Sequence, residues 1–167
     1  MLNQSTLKGF VTIELWRPAS DGRLELIESE EQENLITQVG DQYYGERAAG
    51  LGSLGIATCM KLGTGTTAAS KTGAGAGIVT YITASNSVFS PAVASSLSGS
   101  SRRIAYATTW DAGVATNAAI TEAVIAITNA NSTSVAADCI ARVTFTAKDK
   151  QALDTLTVTW NHDLLGA

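Results

Sequence analysis

The sequence predicts a mainly β fold, an antiparallel β-sandwich of jelly-roll type with one short helix near residues 34–48. Three observations predict it. Apolar and polar residues alternate over several short runs, turn-forming clusters separate those runs, and one segment alone carries apolar residues at three- and four-residue spacing. At 167 residues the chain fits a single domain, 1–167, long enough to bury roughly two thirds of the surface it exposes when unfolded.

The first run is Phe10 to Trp16, where Val11, Ile13 and Leu15 share one face and Thr12 and Glu14 the other. Pro18-Ala19-Ser20-Asp21-Gly22 supplies turn chemistry, and Leu24 to Ile27 resumes the alternation, so the two runs pair as a hairpin. The acidic run Glu28, Glu30, Glu31 and Glu33 reads as a solvated approach to a helix. Asn34 is placed as the N-cap, with Leu35, Ile36, Val39, Tyr43 and Arg47 along one stripe and a stop within Gly50-Leu51-Gly52.

Ile56 to Leu62 and Ile78 to Ile82 are the next strand candidates. Two long small-residue loops, 63–77 and 83–101, flank the second of them and read as exposed segments ordered by neighbouring molecules. In the C-terminal half Ile104, Tyr106, Thr108 and Trp110 alternate with Ala105, Ala107 and Thr109. Ile120 to Thr128, Cys139 to Thr146 and Thr155 to Trp160 behave likewise; in the last, Leu156, Val158 and Trp160 oppose Thr155, Thr157 and Thr159, as in a sheet with one wet face.

Composition narrows the function. Hydrophobic residues make up 45% of the chain and charged residues only 16%, well under the roughly 25% usual for globular domains, which suits a surface made for repeated protein contacts. A net charge of -4, with only Arg102 and Arg103 adjacent among the cations, argues against direct nucleic-acid binding. No apolar run approaches a membrane span, and Met1 to Lys8 lacks the basic start and apolar core of a signal peptide. Cys59 and Cys139 read as reduced, buried small hydrophobes, with a bridge between neighbouring strands as the alternative. Asn131-Ser132-Thr133 reads as a turn and not a glycosylation site.

No catalytic, cofactor-binding or metal-binding constellation is read from the chain. Gly65-Thr66-Thr67-Ala68-Ala69-Ser70-Lys71-Thr72 nearly matches a phosphate-cradling loop, but Ser70 stands where that loop needs glycine. Gly63-Thr64-Gly65-Thr66-Thr67-Ala68 is a still looser match to a dinucleotide fingerprint and has no βαβ unit around it. His162, the only histidine, lies two residues beyond Trp160 on the same strand face and reads as structural. The acidic run lacks the spacing of a calcium loop.

Five segments together resemble a family of small tailed-bacteriophage virion structural proteins of the capsid-decoration, collar or tail-fibre type. They are Asn34-Leu35-Ile36-Thr37-Gln38-Val39-Gly40 after the hairpin, Lys61-Leu62-Gly63-Thr64-Gly65-Thr66-Thr67-Ala68, Ile120-Thr121-Glu122-Ala123, Ala141-Arg142-Val143-Thr144-Phe145 and Asp154-Thr155-Leu156-Thr157-Val158-Thr159-Trp160. The chain departs from the pattern at Val124, where a glycine is expected, and at Asn161-His162, in place of an apolar ending. The resemblance implies a non-enzymatic component of the virion surface, assembled in the host bacterial cytoplasm. It hands over no catalytic residues.

The expected function is therefore an oligomeric capsid decoration, or cement, protein. Its partners would be copies of itself, as a trimer or larger, and other virion proteins such as the major capsid protein. Gly63, Thr64, Gly65, Thr66 and Thr67 in one loop and Ser95, Ser96 and Ser98 in the other are its candidate interface residues. A collar, neck or tail-fibre subunit is the alternative. A soluble carbohydrate- or receptor-binding β module, with Trp110 or Trp16 as its aromatic platform, is the second.

Overall fold

A computed structural model describes residues 6–165. The expectation of no signal peptide rests on the first residues of the chain, mostly outside that range. Nine strands occur in the order β1 (Thr6–Pro18), β2 (Leu24–Ile36), β3 (Cys59–Gly63), β4 (Ser87–Val88), β5 (Ala94–Ser98), β6 (Ser101–Trp110), β7 (Asn117–Ala126), β8 (Cys139–Lys150) and β9 (Thr155–Leu165). One α-helix, α1 (Gln38–Ala48), and two 3-10 turns, Gly73–Ala76 and Ala136–Asp138, complete the described residues. The strands form a single antiparallel sheet, β4-β3-β7-β8-β2-β1-β9-β6-β5, curled into a half-barrel.

The curl puts the core on its inner side. Val11, Ile13, Leu15, Tyr106, Trp110, Leu156, Val158 and Trp160 from one limb share one buried cluster with Met60, Leu62, Ala123, Ile125, Ala141 and Val143 from the other. The sequence alternation reads these faces correctly, since the register sets Val11 against Trp160, Ile13 against Val158 and Leu15 against Leu156. Thr12, Thr109, Thr157 and Thr159 point outward and stay partly wet, while Thr108 lies in the inner row and is buried.

β2 joins the limbs and accounts for the main correction to the expected helix. Asn34, Leu35 and Ile36 are strand residues; the N-cap is Thr37, whose Oγ1 accepts from Gly40 N at 3.0 Å and donates to Cys139 O at 2.6 Å. The strand runs on because Asn34 pairs with Gly9 on β1 while Leu35 and Ile36 pair with Arg142 and Ala141 on β8. The acidic run is likewise strand. Lys148 of β8 bridges Glu28 at 3.1 Å and Glu30 at 2.7 Å, tying the limbs together where their backbones have parted. The helix ends at Ala48, close to the expected stop, with Gly50 at φ 72°.

Three further expectations change. The predicted strand over 78–82 is irregular, retaining one bridge between Tyr81 and Gly63, because its amides go to other partners described below. The strand at Ile56 starts only at Cys59. The segment 83–101 is no continuous loop: it contains β4 and β5, and Ser101 already belongs to β6. Cys59 and Cys139 are free, buried thiols; Ala126 of β7 lies between them in register, so they are not on neighbouring strands. No helix among the described residues is long and apolar enough to cross a membrane.

Candidate functional site

The near-phosphate loop closes on a carboxylate of its own chain. Glu122 and Arg142 sit on the face of β7 and β8 opposite the core, both 0% exposed, with Glu122 Oε2 2.8 Å from Arg142 Nη2 and 3.1 Å from its Nε. Glu122 Oε1 accepts from the backbone amides of Gly65 at 2.9 Å, Thr80 at 2.8 Å and Val79 at 3.1 Å. Arg142 Nη1 donates to Gly75 O at 3.2 Å, and Thr121 Oγ1 to Gly65 O at 3.0 Å. A buried charge needs this density of partners, since each unpaired charge would cost several kcal/mol.

This arrangement explains the glycines. A Cβ on Gly65 would lie 2.5 Å from Glu122 Oε1 and 2.6 Å from Val79 Cβ, and one on Gly63 would lie 2.5 Å from Thr80 O. Gly63 and Gly65 are glycines because the backbone there presses onto a carboxylate and the 79–80 segment, and within the near-motif the amides of Gly65 and Ser70 are already engaged, by Glu122 and Gly75 O. Lys71, the lysine of the near-motif, instead bridges Asp41 of α1 at 2.6 Å.

The candidate interface residues consequently divide. Gly63 and Gly65 are buried, Thr64 is half-buried, and only Thr66 and Thr67 of that group are exposed. Ser95 and Ser96 are exposed and Ser98 half-buried, but all three lie on the edge strand β5 rather than in a loop. The two groups sit on strands toward opposite ends of the strand order.

β5 pairs with β6 on one side and carries no strand on the other among the described residues. Leu97 on this edge is 75% exposed, and its register row continues through Arg102 to Leu164, which is also exposed. Val93 and Leu164 line a cleft of about 420 Å³ with Ile104, Tyr43, Tyr44 and Tyr106. An apolar patch thus flanks the free edge.

His162 lies in the core beside Trp160. Its ring is buried, Nδ1 lies 2.5 Å from Tyr44 Oη and Nε2 3.2 Å from Asn34 Nδ2, and Tyr44 Oη lies 2.9 Å from Tyr106 Oη. Burial pushes its pKa down to about 3, which keeps the ring neutral. The same burial raises the phenol of Tyr106 to about 12 and the thiol of Cys139 to about 12. Asn131 serves the fold, its Oδ1 accepting from Tyr81 Oη at 2.9 Å and Ala84 N at 2.7 Å.

The two platform candidates separate cleanly. Trp110 is fully buried and donates from Nε1 to Ser85 O at 2.7 Å, so it cannot present a ring to a ligand. Trp16 is half-buried and lines an open cleft on the outer face of the sheet.

The Glu122–Arg142 pair is the feature that sequence reasoning passed over. Its signal was a single charge in each of two strands that are otherwise apolar but for Thr121, Ile120 to Ala126 and Cys139 to Val143. No family model, curated protein or solved structure matches this chain.

Proposed function

We propose that this chain is a non-enzymatic structural subunit of a tailed-bacteriophage particle, a homo-oligomeric capsid decoration protein that bridges coat subunits at the virion surface. In this reading the two limbs of the curled sheet act as the layers of a jelly-roll-like sandwich, and assembly covers the exposed edge. The observation that carries it is the free edge of β5 with Leu97, Val93 and Leu164 exposed beside it. An unpaired strand edge next to apolar surface is a template for protein association, and a weakly charged surface does little to oppose it.

The resemblance over five segments supports the same reading. Three of the five, those containing Gly63 to Thr67, Glu122 and Arg142, meet in one buried knot, so the features behind the resemblance form a single structural device. Such a knot pins a long loop to a rigid sheet and leaves Thr66 and Thr67 at its exposed tip.

Light scattering on the purified chain tests the proposal. The expected mass is a trimer or larger, and Leu97→Asp lowers it while the chain keeps the circular dichroism of the folded protein. A monomer at micromolar concentration overturns it. Within the same class, protein quantification on purified virions separates decoration from a collar, neck or tail-fibre subunit. Decoration requires copy numbers comparable to the major coat protein, whereas a single ring of copies favours the appendage.

A further inference from the structure

The outer face of the sheet carries a built cleft at the end of β1, and we infer that it binds a saccharide. The register stacks two outward rows across neighbouring strands, Thr109, Thr157 and Glu14 in one, then Thr155 and Trp16 in the next, and Asp111, just past the end of β6, lines the same cleft. Together with Leu24 they enclose about 410 Å³ open to solvent.

The chemistry of the walls matches a sugar ring. Trp16 and Leu24 supply an apolar platform for the C–H face of a pyranose, and Leu24 is 51% exposed without a ligand. Glu14 and Asp111 present carboxylates that take no hydrogen bond or ion pair from any described side chain, and so remain free acceptors for vicinal hydroxyls. Thr109 and Thr157, whose hydroxyls lie 3.2 Å apart, add groups that both donate and accept. Glu14, Thr109, Thr155 and Thr157 stand on paired β-strands, which fixes their spacing before any ligand arrives, and Asp111 follows directly on the end of β6.

An organic cation is the competing occupant, because an indole ring and two carboxylates also attract an ammonium group. Such a ligand would engage the ring and the charges but leave the threonine hydroxyls unused. A polyol uses all three kinds of wall. The inference is independent of the assembly reading, which rests on β5 at the far edge of the same limb.

The test uses the full-length chain on an array of immobilised glycans, followed by titration of the free sugar of each bound glycan against tryptophan fluorescence. Trp110 and Trp160 are fully buried, so a ligand-dependent change reports on Trp16. Binding to at least one glycan is expected, with a loss of about tenfold or more in affinity for Trp16→Ala and a smaller loss for Glu14→Gln and Asp111→Asn. Thr12→Ala, outside the cleft, should leave affinity unchanged, and melting curves confirm that each variant is folded. Three results overturn the inference: no glycan bound, glycan binding indifferent to Trp16→Ala in a folded variant, or displacement of the signal by tetramethylammonium in place of sugar.

Discussion

Asn34 and His162 meet across an intervening strand. Asn34 Nδ2 on β2 lies 3.2 Å from Nε2 of His162 on β9, and Gly9 of β1 lies between them in register with both. A Cβ at Gly9 would run into the Asn34 amide. The missing side chain is therefore what lets a β2 residue reach over β1.

Gly9→Ala should push Asn34 off the imidazole and destabilise the chain by about 1–3 kcal/mol, the cost of a buried polar group losing its partner. Asn34→Ala removes the obstruction, so Gly9→Ala made in that background should cost clearly less than Gly9→Ala alone. A double-mutant cycle by urea unfolding reads this coupling, and strict additivity would show that the two residues act separately.

His162 also sets a pH dependence. Burial holds its pKa at about 3 in the folded chain against 6.5 for a solvated imidazole, so between these values the unfolded state binds the extra proton. Stability is then independent of this residue above pH 6.5 and falls as pH drops from 6.5 toward 3. Asp154 and Asp163 are held below the usual carboxylate range by hydrogen bonds from Arg17 and Arg103, and their contribution is lost only as pH falls below 3.8. His162→Gln should flatten the upper part of the profile and leave the acid limb. Urea midpoints measured across that range check it.

Strand faces give a direct measure of the core. Leu156→Ala and Trp160→Ala should each cost about 2–5 kcal/mol, because both side chains are fully buried and neither site can collapse around the loss. Thr157→Ala, on the outer face, should cost far less. Equal losses for all three in thermal unfolding would mean that the faces are reversed.

β1, β6 and β9 were legible in the sequence because each buries one face and so alternates with period two, whereas β8 is buried on both faces over Cys139 to Val143 and was legible as an apolar run. What was hidden depended on contacts distant in sequence. Asn34 to Ile36 fit a helical stripe equally well, and only the pairing of Leu35 and Ile36 with β8 decides for strand. The amides of Val79 and Thr80 go to a carboxylate 43 and 42 residues away, which no local pattern encodes. Ser95 to Ser98 lacks apolar alternation because β5 is an edge with little to bury, so its serines read as loop. Gly65 was legible as loop, whereas Gly63 closes β3, and the reason for both glycines was hidden because it lies on β7.

The engaged state of that loop predicts silence toward nucleotides. ATP and GTP should not bind at millimolar concentration, and Lys71→Ala should change only the exposed ion pair to Asp41, worth at most about 1 kcal/mol. Binding that disappears with Lys71→Ala would show that the loop can release Glu122 and accept phosphate.

Removing Glu122 should be far more damaging. Glu122→Ala leaves Arg142 as a buried charge without its carboxylate and strips three backbone amides of their acceptor, so the loss should be about 3–5 kcal/mol. Glu122→Gln retains one carbonyl acceptor and should lie between. The effect should also be local: proteolysis within 63–81 should accelerate in both variants before the melting transition, because this segment is tied to the sheet through Gly65, Gly75, Val79 and Thr80. Gly65→Ala attacks the same knot from the loop side, since its Cβ would sit 2.5 Å from Glu122 Oε1. It should raise protease sensitivity over the same residues while the charges stay in place. Sensitivity unchanged in Gly65→Ala, with Glu122→Ala unfolding the chain globally, would mean that the pair stabilises the sheet itself and that the loop is held by other contacts.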